Sequence, residues 1–503
     1  MVVKVNTVSF SGIDVLPVKV EVQIMGGMPT FAIVGLADKA VGESKERVRA
    51  ALSSIGISLP PKRITINLAP ADIIKEGSHF DLPIALGLMG AIGTIPTDKL
   101  SSYVVMGELG LDGSIAPVSG ILPAAVGANL KNLGFICPAA QGGEAAWSGN
   151  PDIIAVSSLK ELVDYFKGEL SVPKPEKLSV LEMTSDLDLR DIKGQESAKR
   201  ALEIAAAGGH NLLMIGPPGA GKSMLAARMS SILPPLSSEE ILEVSMIHSV
   251  AGLIKDGKLV GRRPFRDPHH SASMAAMVGG GQKAKPGEVS LAHKGILFLD
   301  ELPEFSRQTL EALRQPLETG KVSVARASFH AIYPARFQLI AAMNPCKCGY
   351  LGSPEQQCPR APKCAAEYQS RISGPLFDRI DMHIEVPAVN PWDMSAPAAS
   401  ESSADVAKRV AFALNIQKIR YKGQDISTNA EADGKLLESV TALNTEGQKL
   451  LSSAAERLHL SARGYHRILR VARTIADLEG VPDILPRHLS EALSFRRIVH
   501  KNS

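Results

Sequence analysis

The sequence predicts an α/β protein of several domains, and three observations lead to that prediction. A glycine-rich loop stands between a short apolar strand at 211–215 and a segment of helical character at 223–232. Two further apolar strands, at 296–299 and 339–343, end in polar side chains. The chain also has 503 residues, which is too long for one ordinary domain. Together these observations predict a doubly wound nucleotide-binding sheet whose ligand lies at the carboxyl ends of the strands.

The chain divides at two loose stretches. Residues 168–190 are rich in Pro, Lys, Glu and Ser, which predicts a linker after a compact α/β unit at 1–167. The nucleotide-binding core then occupies 191–390, up to a second stretch rich in Ala, Ser and Pro. Beyond it, 391–503 is predicted to be a mostly helical domain, because apolar residues recur at helical spacing.

Composition restricts the function only loosely. The net charge is +3, so any nucleic-acid surface must come from local clusters of basic residues. The first ten residues lack a basic segment followed by an apolar core, which predicts no signal peptide. No uncharged stretch suits a bilayer span. Five cysteines without a secretion signal indicate a reducing cytoplasm, where clustered cysteines suggest a metal more than disulfides. Together these features predict a cytoplasmic protein with no membrane partner.

The strongest motif is the phosphate-binding loop. Residues 216–223, GPPGAGKS, match the pattern G-x-x-x-x-G-K-[ST] in full. Gly216, Gly219 and Gly221 let backbone N–H groups surround phosphates. Lys222 supplies a positive charge to the β- and γ-oxygens, and Ser223 supplies a hydroxyl for Mg²⁺. The flanking strand and helix favour this reading over a chance glycine-rich turn, so ATP and Mg²⁺ are the predicted cofactors.

The two other strand ends supply the remaining chemistry. Asp300 and Glu301 follow the first of these strands, where Asp300 would hold Mg²⁺ and Glu301 would polarise the attacking water. Taken alone, an apolar run before Asp-Glu is usually structural. Asn344 follows the second strand and could orient the water or sense the γ-phosphate, although an ordinary turn asparagine is the alternative.

Four segments around these strands resemble the magnesium-chelatase-like AAA+ proteins: 194–213 (GQESAKRALEIAAAGGHNLL), 266–273 (RDPHHSAS), 286–293 (PGEVSLAH) and 299–305 (LDELPEF). The resemblance covers nearly the whole chain. It implies a P-loop AAA+ α/β core with a C-terminal helical lid, assembled as a hexamer that encircles single-stranded or branched DNA. It also implies a helicase that drives branch migration during natural transformation, working with a recombinase and other recombination proteins.

The resemblance also implies roles for two arginines. Arg379 would be the arginine finger that reaches the ATP of the neighbouring subunit, and Arg463 would be the sensor-2 arginine of the lid. A guanidinium from the next subunit neutralises charge on the γ-phosphate, so that hydrolysis depends on assembly. Arg371 is the alternative finger, and Arg467 and Arg470 are the alternatives for the lid. Each could instead be a surface or interface arginine.

For the first domain, the resemblance implies a Lon-protease-like fold. The serine nucleophile of such a protease would fall near Ser78, where the alignment puts His79, and its lysine base would fall at Leu122. An apolar side chain cannot act as a base. The domain is therefore predicted to be non-proteolytic, as a scaffold or a DNA-contacting collar.

Basic residues cluster in two candidate hairpins. Residues 255–294 contain eight Lys or Arg and three Asp or Glu. By the resemblance this segment carries an inserted hairpin facing the pore, with Lys283 and Lys285 beside its tip. His269 and His270 look like a metal pair but lack an E-x-x-H context, so packing or a subunit contact is the better interpretation.

The second candidate hairpin spans 318–337, with a turn at 319–321. Lys321 stands at the turn and Arg326 on the following strand. Both hairpins could contact DNA phosphates as ATP turns over. A solvated charged face is the alternative.

Four of the five cysteines, Cys346, Cys348, Cys358 and Cys364, lie within 19 residues. Glycines and prolines stand between them, so the loop has no core of its own, and four thiolates around Zn²⁺ would fold it. Free thiols are the alternative. The C-x-C start is tighter than the usual C-x-x-C. The last pair is separated by five residues, where proteins of the resembled family often have one.

Two other classes of machine remain as alternatives. One is a chelatase-type AAA+ motor that remodels a protein partner for metal insertion, although such a subunit would lack the N-terminal domain. The other is an ATP-dependent protease, which Leu122 disfavours.

Overall fold

A computed structural model describes residues 2–177, 180, 187–254, 258–281, 284–326, 329–351, 358–388 and 401–496. It has two main β-sheets and a helical C-terminal region. The mixed α/β class predicted from the sequence is thereby confirmed. The Lon-like character of the first domain, and the domain boundaries, stay predictions. Within the described ranges, no helix combines the length and apolar character that a membrane crossing needs.

The first main sheet has seven strands in the order β3-β4-β2-β1-β5-β8-β9, and β6 and β7 form a separate pair. The strands of this region are β1 (Val2–Ser11), β2 (Asp14–Met25), β3 (Thr30–Val34), β4 (Arg63–Ala69), β5 (Tyr103–Val105), β6 (Glu108–Leu109), β7 (Ile115–Ala116), β8 (Gly134–Pro138) and β9 (Ile153–Val156). Its helices are α1 (Lys39–Ser54), α2 (Asp81–Ile92), α3 (Ile121–Leu130), α4 (Gly142–Ala146) and α5 (Leu159–Lys167). Valines on β1 and β2 alternate towards the core, as expected for a half-buried sheet.

The second main sheet has five parallel strands in the order β11-β14-β17-β10-β18. The strands of this region are β10 (Leu212–Ile215), β11 (Phe265–Arg266), β12 (Gly279–Gly280), β13 (Lys285–Pro286), β14 (Ile296–Leu299), β15 (Lys321–Arg326), β16 (Phe329–Pro334), β17 (Gln338–Met343) and β18 (Met382–Glu385). The central strands β10, β14 and β17 are buried throughout, because both faces of the sheet are covered.

Nine helices are described beside this sheet: α6 (Glu196–Gly208), α7 (Lys222–Ile232), α8 (Ser238–Ala251), α9 (Met274–Val278), α10 (Glu288–Leu291), α11 (Arg307–Ala312), α12 (Arg314–Thr319), α13 (Lys363–Gln369) and α14 (Gly374–Phe377). The C-terminal helices are α15 (Ser403–Arg420), α16 (Gly434–Val440), α17 (Thr445–Arg457), α18 (Ala462–Leu478) and α19 (Pro486–Ser494). Apolar residues of α18, among them Ile468 and Ile475, share one buried cluster with α6 and with one face of the sheet. The lid is therefore packed directly on the core.

Both candidate hairpins are present, but the turn predicted at 319–321 is wrong as the hairpin turn, because it separates α12 from β15 and the two strands are joined beyond Arg326. β12 pairs with β13, and β15 pairs with β16 from Lys321 opposite Pro334 to Arg326 opposite Phe329. The Tyr333 hydroxyl donates a hydrogen bond of 2.8 Å to the Ala284 carbonyl, so the two hairpins lie side by side.

The N-terminal unit contacts the core at two places. Gly12, in the turn between β1 and β2, lies so close to β16 that a Cβ atom there would be 2.5 Å from the Ile332 carbonyl oxygen. On α8, Ser249 accepts a backbone hydrogen bond of 3.0 Å from Gly120 and donates its hydroxyl to Glu144 at 2.5 Å. The pKa of the Glu144 carboxyl is raised, because burial outweighs the opposing effect of its hydrogen bonds.

Candidate ATP site and its surroundings

The phosphate loop connects β10 to α7. Gly219 and Gly221 have φ angles of +76° and +85°, which favour glycine over any other residue. A Cβ atom on Gly216 would overlap the Val386 carbonyl, so this position also needs glycine. Lys222 begins α7 and is buried. The motif therefore adopts the strand–loop–helix arrangement that its sequence predicts.

The ends of three strands meet at this loop. Ser223 donates a hydrogen bond of 2.6 Å to Asp300, which follows β14. The Lys222 amine donates a hydrogen bond of 3.2 Å to the side-chain oxygen of Asn344, the residue that follows β17. It donates a second hydrogen bond of 2.8 Å to the Gly216 carbonyl. Burial lowers the pKa of Lys222, whereas the charges of Asp300 and then Glu301 raise it. The hydroxyl and the carboxylate offer the oxygen ligands that Mg²⁺ prefers. The lysine beside them offers the positive charge that a triphosphate requires.

Glu301 takes an uncommon backbone conformation, with a φ angle of +51°. Its carboxylate oxygen Oε2 lies 3.3 Å from Nδ1 of His270, which follows β11. The His269 ring lies against the His270 ring, with 4.1 Å between centroids. The histidine pair interpreted as packing or a subunit contact therefore also lies at the candidate ATP site.

Asp267 is a second residue of this site that sequence reasoning missed. Burial raises the pKa of Asp267, and the neighbouring charge of Asp300 raises it further. β11 pairs with β14 in parallel, so the residues after both strands lie at the same edge of the sheet. The two-residue β11 shows no strand pattern in the sequence, so the placement of Asp267 and His270 at this edge could not be derived from it.

The two finger candidates are held by contacts within the chain. Arg379 donates to Glu318 and, at 2.7 Å, to the Pro375 carbonyl. Arg371 donates 2.9 Å to Glu304, three residues beyond Glu301. Their assignment stays a prediction, since it concerns a neighbouring subunit.

The three lid arginines differ in their surroundings. Arg467 is buried 3.8 Å from Asp381, and burial lowers its pKa to about 10. Arg470 donates 2.6 Å to the Ala432 carbonyl. Arg463 is exposed in the first turn of α18, which leaves its side chain accessible to a ligand.

The four clustered cysteines come together. Their sulfur atoms all lie within 4.8 Å of one another, and Cys346 and Cys348 are separated by 3.2 Å. A tetrahedral zinc site with Zn–S bonds of about 2.3 Å needs sulfurs about 3.8 Å apart, so small movements would complete it. The donor set and its geometry fit Zn²⁺. Cys137 is buried elsewhere, in the N-terminal sheet.

In the N-terminal unit, the protease-like positions carry structural contacts. His79 is buried, with Nε2 2.8 Å from the Val8 carbonyl oxygen, and burial lowers its pKa. Ser78 donates to Glu108. Leu122 is fully buried, and its backbone N–H donates to Glu144 and Ser249. Whether these positions correspond to those of a protease stays a prediction.

The basic hairpin residues are surface residues where the structure describes them. Lys285 on β13 and Lys321 at the start of β15 are exposed. Arg326 is the last residue of β15. Lys283 lies outside the described residues.

Comparison with known protein families matches three segments of the chain. Residues 188–394 match the family model described as magnesium chelatase, subunit ChlI. Residues 20–141 match subunit ChlI of Mg-chelatase, and residues 400–496 match the ChlI C-terminal model.

Three full-length relatives are similar. The chain is 43% identical over 495 residues to the uncharacterized protein YifB of Salmonella typhimurium, covering 98% of this chain and 97% of the relative. It is 42% identical over 495 residues to YifB of Escherichia coli, with coverage of 98% and 97%. It is also 42% identical over 495 residues to the competence protein ComM of Haemophilus influenzae, with coverage of 97% and 96%.

Proposed function

The chain belongs to the magnesium-chelatase-like family of YifB and ComM proteins, and from that premise we propose that it is an ATP-driven DNA motor. It acts as a hexameric helicase that promotes branch migration when incoming DNA recombines in natural transformation. The relative named as a competence protein supports this role, because the similarity spans 97% of the chain.

The observation that carries the proposal is the convergence of three strand ends on the phosphate loop. Ser223 and Asp300, 2.6 Å apart, would hold Mg²⁺ between them. Lys222, beside Asn344, neutralises charge on the transferred phosphoryl group. Glu301 accepts a proton from the attacking water, and Asn344 orients that water. When bound, Mg²⁺ offsets the charge that develops on the β- and γ-oxygens.

Assembly completes the site. Arg379 of one subunit acts on the ATP of the next, and Arg463 reaches the nucleotide from the lid. The exposed position of Arg463 supports this choice, because Arg467 and Arg470 are held by contacts within their own chain. Hydrolysis then depends on ring formation.

DNA contact is assigned to the paired hairpins. Lys285 and Lys321 are exposed on neighbouring β-ribbons, which suits binding of successive phosphates. Lys283 and Arg326 belong to the same proposal. The N-terminal unit, at 1–167, serves as a non-proteolytic scaffold or collar joined by a linker at 168–190 to the core at 191–390. The lid, at 391–503, closes over ATP in the cytoplasm.

Zn²⁺ is proposed as a third cofactor, held by the four clustered cysteine sulfurs. Four thiolates would give a closed structural site.

One other function is favoured by a specific observation. The matching family models are described as subunits of magnesium chelatase. A chelatase-type motor would remodel a protein partner, and its ATPase would respond to protein and not to DNA.

The deciding experiment measures ATP hydrolysis by the full chain without DNA, with single-stranded DNA and with forked DNA. We expect DNA to stimulate ATP hydrolysis strongly and the Glu301→Gln variant to show no hydrolysis. In a second assay, we expect the natural protein to exchange the strands of a labelled branched substrate. An active ATPase that no DNA stimulates would reject the motor and favour the protein-remodelling function.

A further inference from the structure

The cysteine loop begins directly at the candidate ATP site. Asn344, the first residue after β17, accepts a hydrogen bond of 3.2 Å from Lys222. Cys346 is only two residues further on and is completely buried. Any ligand that fixes the Cys346 sulfur therefore also restrains the backbone that carries Asn344.

A second contact joins the cysteine loop to the phosphate loop itself. The Gly349 N–H donates a hydrogen bond of 2.9 Å to the Cys346 carbonyl. This bond closes a four-residue turn from Cys346 to Gly349, which also contains Cys348. Gly349 has a φ angle of +85°, and a Cβ atom on it would lie 2.5 Å from Cδ of Pro218. The turn thus packs its bare backbone on the Pro218 ring, inside the phosphate loop.

The other end of the cysteine loop is anchored by α13. Cys364 is the second residue of this helix, and Gln369 near its end donates 2.9 Å to the Pro345 carbonyl. The helix therefore holds the residue between Asn344 and Cys346. The thiols of Cys346 and Cys364 meet across this small unit.

Among the residues of the loop that the structure describes, the apolar core beside the thiols is small. Its buried cluster consists of Cys346, Cys358 and Ala365, with Leu351 and Cys364 packed against it. A cluster of this size gives little hydrophobic stabilisation, whereas a metal bound by four thiolates can supply the folding free energy of a small unit. A bound metal would thus add rigidity to the surface that supports Pro218.

We propose that the four-cysteine site is a structural metal site whose occupancy sets the nucleotide affinity of the phosphate loop. A thiophilic divalent cation, Zn²⁺, would hold the turn at Gly349 against Pro218 and keep Asn344 beside Lys222. The inference rests on the proposed ATP function. Because coupling between two sites is reciprocal, bound nucleotide must tighten metal binding by the same factor that metal tightens nucleotide binding.

The test uses the full chain, loaded with Zn²⁺ or stripped with a chelator and then reloaded. Zinc content is measured by metal analysis, and zinc affinity by competition with a chromogenic chelator, with and without a non-hydrolysable ATP analogue. Nucleotide affinity is measured with a fluorescent analogue. We expect stripping to weaken nucleotide binding roughly 10-fold, as is typical of coupling between sites, and the analogue to tighten zinc binding by the same factor.

Two variants separate zinc binding from the effect of bound zinc on nucleotide affinity. Gly349→Ala keeps all four sulfurs and should bind one Zn²⁺ per chain, yet lose nucleotide affinity, because the new methyl group displaces Pro218. Cys364→Ser should lose both. Cys137→Ala, which removes a buried cysteine outside the cluster, should keep both.

Equal nucleotide affinity in the loaded and stripped protein, with one Zn²⁺ bound in the former, would overturn the coupling. A chain that binds no Zn²⁺ would overturn the metal site. If Zn²⁺ binds but neither form binds nucleotide, the proposed ATPase fails, and the inference fails with it.

Discussion

Nδ1 of His270 lies 3.3 Å from Oε2 of Glu301. The contact joins the residues that follow two neighbouring parallel strands, β11 and β14. Glu301 is the proposed acceptor of the proton from water, and this carboxylate oxygen is already engaged by an imidazole. The segment that carries His270 continues into α9 and the β12–β13 hairpin. The contact to the Glu301 carboxylate therefore lies close in sequence to a proposed DNA-binding element.

We expect His270→Ala to raise ATP hydrolysis measured without DNA. Removing the imidazole frees the Glu301 carboxylate for water. A contact between two exposed side chains is worth about 0.2–1 kcal/mol, which corresponds to a rise in kcat of up to roughly 5-fold. The KM for ATP should change little, because His270 is not a proposed nucleotide ligand.

His269→Ala is the matched control. Nδ1 of His269 contacts the Ser271 hydroxyl at 2.8 Å, so this variant removes a neighbouring imidazole without removing the partner of Glu301. A fall in kcat for His270→Ala would instead mean that the imidazole orients Glu301 for catalysis.

We expect Arg379→Ala to bind ATP normally but to lose most hydrolysis, roughly 10³-fold, the usual effect of removing an arginine finger. In its own chain, this side chain is tied to Glu318 and the Pro375 carbonyl. Mixing Arg379→Ala with Glu301→Gln should restore part of the activity, because some interfaces in a mixed ring combine two intact partners.

Arg371→Ala serves as the comparison, since Arg371 contacts Glu304 at 2.9 Å and is the rival finger. Complementation by Arg371→Ala, with Arg379→Ala fully active, would reverse the assignment.

We expect Lys285→Ala and Lys321→Ala to weaken DNA binding and DNA-stimulated hydrolysis, with basal hydrolysis retained. Each lost phosphate contact should reduce the slope of log K against log salt by about 0.7 for single-stranded DNA. Fluorescence anisotropy at several salt concentrations measures this slope. Lys435→Ala, an exposed lysine on α16, should leave the slope unchanged, and an unchanged slope in the hairpin variants would remove these lysines from the DNA surface.

The strand ends of the candidate ATP site could be predicted because each is encoded locally. β10, β14 and β17 are apolar runs buried throughout, and the polar residues that follow them must emerge at one edge of a parallel sheet. The meeting of Ser223 with Asp300 follows from that rule. The four-cysteine cluster was predictable for the same reason, because all four cysteines lie in one short loop.

The contacts that sequence reasoning missed join segments without a pattern of their own. β11 has only two residues, Phe265–Arg266, too few to display a period, so the position of His270 beside Glu301 could not be derived. The contact between Gly349 and Pro218 depends on the path of an irregular loop. Nothing in the sequence indicates that Ser249 of α8 contacts the N-terminal unit, because the two partners of that hydrogen bond are 105 residues apart in the chain.

His210 makes the stability of the core–lid contact dependent on pH. It is fully buried, with Nε2 2.8 Å from the Thr474 hydroxyl on α18 and Nδ1 4.0 Å from Asp381. Burial lowers its pKa to about 4, and the charge of Asp381 only partly opposes this. In the unfolded chain the pKa of histidine is about 6.5.

Between pH 6.5 and pH 4 the unfolded chain therefore binds a proton at His210 that the folded chain does not, and the free energy of unfolding falls as the pH falls. The contribution is fully present above pH 6.5 and is lost with a limiting slope on the order of 1.4 kcal/mol per pH unit. We expect the urea midpoint, followed by circular dichroism between pH 7 and pH 5, to drop more steeply in the natural protein than in His210→Gln, which keeps a polar partner for Thr474 but does not titrate. Parallel pH profiles for the two proteins would mean that His210 takes up its proton equally in both states.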